Sequence, residues 1–270
     1  MVPKIIHYCW FGAGSKSNKI IECINSWEKF LPDYQLIEWN ENNFDIHCCP
    51  YVEEAYNEHK WAFVADYARL KILYEYGGIY LDTDVEIIKD LQTLVDHGNF
   101  MGVENNNGVD CPLINPGLIM CAEKGAKYVK DIMDTYENEH FVINGKNTSK
   151  FTIVARTTEI LKTRYNLKKD VNIQYLDNLI IYPKQYFCPL DYRSGELQIT
   201  RETYCIHWYA ASWLTKKQKQ RQTKSTKIYR LFPNKIAELI CKIYFKLGAI
   251  SDIYEDQGFK GILDRIGIRK

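Results

Sequence analysis

The chain has 270 residues, 46% of them apolar and 26% charged, which suits a globular protein able to bury a sizeable core. Its net charge of +1 argues against a strongly electrostatic partner such as nucleic acid for the chain as a whole. That total hides a division: residues 216 to 246 hold ten basic side chains against the single Glu238, a local charge of +9, so the remainder sums to −8.

The predicted elements run as follows. "KIIHYCW", residues 4 to 10, is a buried first strand ending at Gly12, and a helix follows from Asn18 to Phe30, closed by Pro32. "YQLIEWN" from Tyr34 is a second strand, so the chain opens strand, helix, strand, which predicts a parallel sheet with ligand at the carboxyl ends of its strands. One long helix is expected from about Glu53 to Tyr76, stopped by Gly77-Gly78, and "IYLDTDV" then emerges from the core as a strand. "FMGVEN" (100 to 105) and "LINPGLIMC" (113 to 121) are further strands, followed by a helix near Ala126 to Tyr136 and a polar loop over 137 to 150. A helix near Thr152 to Tyr165, strands around Asn172 to Tyr182 and the closing "TYCIHWYAASW" (203 to 213) complete the body.

The nine cysteines are odd in number, irregularly placed and without a C-x-x-C pair, as expected of thiols in a reducing compartment. "MVPKIIHYCWFG" turns polar too early for a signal peptide, and no apolar run approaches the roughly 20 residues that span a bilayer. The expected location is the cytoplasm.

The chemistry centres on "EYGGIYLDTDVE". In an extended chain, residues i and i+2 point the same way, so Asp82 and Asp84 converge while Thr83 turns aside. Two neighbouring carboxylates repel unless a divalent cation joins them, and a hard ion such as Mn²⁺ or Mg²⁺ could in turn hold a diphosphate. Two exposed aspartates after a strand would be the plain alternative. Upstream, Asp66 and Arg69 sit at i and i+3, on one face of the preceding helix.

The blocks "VPKIIHYCWFG", "FVADYARLKILYEYGGIYLDTDVE" and "IHWYAASW" resemble the DXD-containing glycosyltransferases of family 32, the OCH1-like and capsular-polysaccharide group with a glycosyltransferase sugar-binding region. A more distant likeness is to clostridial glucosylating toxins. The resemblance covers residues 2 to 214 and leaves the tail outside. It implies an α/β GT-A (Rossmann-like) fold: a mixed, mainly parallel central sheet flanked by helices, here a domain over 1–214 with a basic, amphipathic helical extension over 215–270.

The same resemblance implies a retaining hexosyltransferase for a nucleotide sugar, with a glycan or lipid-linked glycan as acceptor in surface polysaccharide synthesis. It places Asp84 on the metal, Asp82 on the donor ribose and in the metal shell, and His207 as a further metal ligand. Asp66 falls to the donor sugar's hydroxyls and Arg69 near the sugar and diphosphate; these two with Asp82 and Asp84 form the catalytic group. Trp10 would stack on the base, favouring a UDP-sugar over a GDP-sugar, with His7 close by on the same strand as a donor-site or core histidine. Asn115 in "INPGLIMC" is a donor-sugar contact or a turn residue, and Ser212 with Trp213 would close over the pyrophosphate. The Gly-Pro pair that many relatives carry near residue 155 is replaced by "TSKFTIVART".

Two other classes fit parts of the pattern. A haloacid-dehalogenase-type phosphohydrolase shares the strand followed by D-x-D-x-[TV], but needs a later G-D-x-x-x-D that is absent. A non-catalytic sugar-nucleotide-binding module would have had less reason to retain Asp66, Arg69, Asp82, Asp84 and His207 together. In the tail, Ile236, Leu239, Ile240, Ile243 and Leu247 form one helical stripe, and Lys235, Glu238, Lys242 and Lys246 the other face. This suits either an interfacial helix on an anionic membrane leaflet or a helix docked on the body.

Overall fold

The computed structural model describes residues 1–105, 112–143, 146–147, 152–210 and 216–265. The chain begins with β1 (Ile5–Cys9), α1 (Asn18–Phe30), β2 (Gln35–Trp39), α2 (Pro50–Asn57) and α3 (Trp61–Tyr76). Next come β3 (Gly78–Tyr80), β4 (Val85–Ile87), α4 (Gln92–Val95), β5 (Phe100–Asn105), β6 (Leu113–Ile114) and β7 (Met120–Ala122). Then follow α5 (Lys127–Met133), β8 (Val142–Ile143), β9 (Lys146–Asn147), α6 (Ile153–Arg164), β10 (Gln174–Leu176), β11 (Leu179–Tyr182) and α7 (Lys184–Phe187). The series closes with β12 (Cys205–His207), α8 (Lys216–Leu231) and α9 (Asn234–Arg265).

Local chemistry explains the best-marked elements. In α1, Ile20, Cys23 and Trp27 recur at i, i+3 and i+7 and are buried, and the Ser17 side chain caps the amino end. The expected helix over 53 to 76 is instead two helices, because His59 takes φ +55° and interrupts the ladder between α2 and α3. At the carboxyl end of α3 the Gly77 N–H returns to the Leu73 carbonyl, and Gly77 and Gly78 adopt φ +69° and +110°. A side chain at Gly78 would also strike the Ile5 carbonyl.

The central sheet runs β10-β11-β5-β7-β3-β1-β2, with β6 added beside β5. β1 is parallel to both β2 and β3, and β5 is parallel to β11. β7 is antiparallel to β3 and β5, and β10 to β11, so five strands on this path share one direction. One hydrophobic layer, with Tyr51, Val64, Leu70 and Leu161, joins α2, α3 and α6 to the sheet. The other, with Trp27, Leu31, Val85 and Phe187, covers the opposite face. This is the mixed, mainly parallel sheet flanked by helices that the GT-A resemblance implied.

Two compact units divide the chain: Met1–Leu190 with Leu197–Trp213, and Asp191–Glu196 with Leu214–Lys270. In the second unit the loop Asp191–Glu196 accompanies the helical tail: Arg230 Nε donates to the Ser194 carbonyl at 2.7 Å. A boundary placed at residue 215 leaves that loop out. Among the described residues no disulfide forms, and no helix is long and apolar enough to cross a membrane.

Candidate metal and donor site

The two aspartates do not lie on a continuous strand. β3 stops at Tyr80, and residues 82 to 85 make a turn closed by the Val85 N–H on the Asp82 carbonyl at 3.0 Å, after which the chain re-enters as β4. Asp82 and Asp84 therefore converge through a turn, not through strand pleating. The turn is anchored on both sides. The Asp82 N–H donates to the Gly117 carbonyl at 2.9 Å, and the Trp208 N–H to the Asp84 carbonyl at 2.9 Å.

β12 supplies the third member. It pairs antiparallel with β4 so that His207 lies opposite Val85, beside the turn. His207 Nε2 is 3.2 Å from Asp84 Oδ1, and the Ala210 N–H donates to Asp84 Oδ2 at 2.8 Å. One donor atom from each of Asp82, Asp84 and His207 falls within 4.8 Å of the others. Burial alone would raise the Asp84 carboxyl, but the charge and hydrogen bond of His207 hold it below the usual carboxylate range. Burial alone would lower His207, and Asp84 raises it instead.

Arg69 ties the helix to the turn. Its Nη2 lies 3.1 Å from Asp66 Oδ1 and 3.2 Å from Asp82 Oδ1, and the guanidinium stacks over the Tyr80 ring at 4.8 Å. The residue is 3% exposed; burial works against its charge, and Asp82 together with Asp66 more than restores it. Burial pushes the Asp66 carboxyl up to about 6. Three carboxylates thus surround one guanidinium and one imidazole.

That excess of negative charge is one of two signs that the residues suit a cation. The other is His207 Nδ1, which is buried and has no hydrogen-bond partner. Carboxylate oxygens with one imidazole nitrogen, at this spacing, could hold a divalent metal ion.

The remaining predicted residues separate. Trp10 ends β1 half-buried, its indole N–H on the Gly14 carbonyl at 2.6 Å and the Lys16 ammonium 5.2 Å from its ring centre. His7, considered for the donor site, is a core residue: it is fully buried, Trp39 Nε1 donates to its Nδ1 at 3.1 Å and its Nε2 pairs with the Gly77 carbonyl at 2.9 Å. Burial lowers it to about 4, so it stays neutral. Asn115 is a turn residue: its Oδ1 accepts from the Gly117 N–H at 2.7 Å and its Nδ2 donates to Glu104 Oε1 at 3.1 Å. Ser212 and Trp213 lie outside the described residues.

Sequence reasoning missed two residues here. Gly117 packs against the site so closely that a β-carbon there would overlap the Asp82 carboxylate and come within 2.9 Å of Arg69 Nη1. Glu104, next to last in β5, accepts from Asn115, and an acid near the carboxyl end of an expected strand was the available signal.

Residues 17–101 match the family model described as "glycosyltransferase sugar-binding region containing DXD motif", and the chain is related to DXD-containing glycosyltransferases through that region. Among curated proteins it is similar to inositol phosphoceramide mannosyltransferase 3 of Schizosaccharomyces pombe, 32% identical over 123 residues, which are 39% of this chain. The match spans 32% of that relative's length. Among solved structures it is similar to the PaToxG glycosyltransferase (TM-score 0.47, 18% identity, 59% of this chain and 69% of the other). It is also similar to GlyE of Streptococcus pneumoniae TIGR4 (TM-score 0.45, 14% identity, 92% and 64%).

Proposed function

We propose that this chain is a metal-dependent, retaining glycosyltransferase that moves a hexose from a nucleotide sugar to a glycan or lipid-linked glycan in surface polysaccharide synthesis. One observation carries the reading: Asp82, Asp84 and His207 meet at one point within a chain whose residues 17–101 match a DXD sugar-binding region. These three would hold Mn²⁺ or Mg²⁺. When bound, such an ion supplies the positive charge that lets a nucleoside diphosphate depart without a proton.

The protein's own groups do the rest. Arg69 fixes the Asp82 carboxylate in place, acting as a positioning residue through its two ion pairs. Asp66, 9% exposed beside that pair, offers a carboxyl for sugar hydroxyls. Trp10 offers an aromatic surface for the base at the end of β1, where parallel sheets bind nucleotides. A UDP-sugar is the donor we favour, and a GDP-sugar is the competitor to test. The location we favour is cytoplasmic, on the inner face of the membrane.

Thermal melting with a panel of nucleotide sugars, with and without Mn²⁺, tests the reading. A donor at 100 times its dissociation constant should stabilise the protein by about 2.7 kcal/mol, and only with metal present. Stabilisation by GDP-mannose alone would reassign the donor. No response to any nucleotide sugar would overturn the proposal.

A further inference from the structure

The helices of the tail meet through small side chains. Ala237 and Cys241 of α9 are buried, Cys241 Sγ lies 3.2 Å from Ser225 Oγ of α8, and a β-carbon at Gly248 would be 2.7 Å from Arg221 Nε. These positions, spaced by four and seven residues, share one face of α9. The large aliphatic side chains occupy another. Ile236, Leu239, Ile243, Leu247 and Ile250 recur at i, i+3, i+7, i+11 and i+14, and are 49%, 61%, 53%, 60% and 47% exposed. A hairpin stabilised only by its own contacts would turn such residues inward. Here the small ones face α8 and the large ones face out.

The border of that stripe is basic. Lys235, Lys242 and Lys246 follow at i, i+7 and i+11 along its edge, all exposed, and Glu238 is the only acid between residues 216 and 246 against ten basic side chains.

We propose that this face of α9 binds an anionic lipid bilayer, lying in the plane of the surface with the aliphatic stripe at the acyl boundary and the lysines among the headgroup phosphates. Charge complementarity selects the occupant. A second copy seated on the same face would bring two lysine rows together, whereas anionic headgroups meet both the stripe and its border. The proposal is independent of the reaction catalysed by the other unit.

Flotation of the full chain tests it, using vesicles of phosphatidylcholine with or without phosphatidylglycerol. Binding should require phosphatidylglycerol and weaken as salt is raised. Lys235→Gln, Lys242→Gln and Lys246→Gln combined should reduce binding about a hundredfold, since each basic residue near the surface contributes about fivefold. Leu239→Ser, Ile243→Ser and Leu247→Ser combined should reduce it at least as much, with the melting temperature unchanged. Equal binding by either triple variant would overturn the proposal. So would a serine variant that melts early or turns a dimer into a monomer, because the stripe would then be covered by protein.

Discussion

Two buried histidines of the first unit have different surroundings. On β1, His7 is enclosed by the sheet, gives and receives one hydrogen bond, and stays neutral because burial lowers it to about 4. On β12, His207 is also buried, yet one ring nitrogen has no partner and the other faces Asp84, which raises it. Burial is common to both. The difference is whether the ring's hydrogen-bonding capacity is completed by the fold, and an uncompleted ring is what the proposed metal site requires.

The comparison can be broken most severely at β1. His7→Ala leaves the Trp39 indole N–H and the Gly77 carbonyl unpaired beside a cavity, and should cost about 4 kcal/mol of stability while sparing turnover per folded molecule. Denaturant melts alongside an active-fraction assay check this; a stable but inactive variant would return His7 to the donor site. Asp84→Asn attacks the His207 side of the comparison. It should lower turnover at least about a hundredfold, equivalent to about 3 kcal/mol, with little change in fold. Full transfer at limiting metal would remove Asp84 from the metal shell.

Smaller effects sharpen the contrast. Gly117→Ala forces the Asp82 carboxylate and Arg69 apart, and should cost about 2 kcal/mol together with activity, although residue 117 carries no chemistry of its own. A melting curve with wild-type stability and turnover would show that the turn has room. The smallest effect is in pH. His7 is protonated more readily when unfolded, so its contribution is intact above its ordinary pKa of 6.5 and is lost as pH falls towards about 4. Between pH 7 and 5.5 this should remove about 1 kcal/mol. His7→Gln should lack that part of the slope; identical pH profiles for the two proteins would contradict the neutral assignment.

The sequence carried the parts of this contrast unevenly. α1 and β5 were legible because capping, aliphatic spacing and strand composition all agreed over those residues. Asp66, Arg69, Asp82 and Asp84 were visible because they share one contiguous block, so their proximity needed only helix and turn geometry. The break at His59 was hidden because neither glycine nor proline marks it. The turn at 82 to 85 was hidden because its turn-forming aspartates sit between the strand-like runs of β3 and β4 with no glycine or proline to mark the break. The pairing of β12 with β4, which sets His207 beside Asp84, joins segments more than a hundred residues apart, and no local pattern encodes it. The same holds for Gly117, whose importance is a matter of contact distance. His7 and Asn115 each carried a structural and a functional reading in the sequence, and their hydrogen-bond partners are what the fold adds.

Manganese uptake, followed by electron paramagnetic resonance on the full chain with UDP present, tests the metal centre most directly. One ion per chain is expected for the wild type and for His7→Gln, and none for Asp84→Asn or His207→Ala. Equal uptake by all four proteins would contradict the assignment of Asp82, Asp84 and His207 as the site.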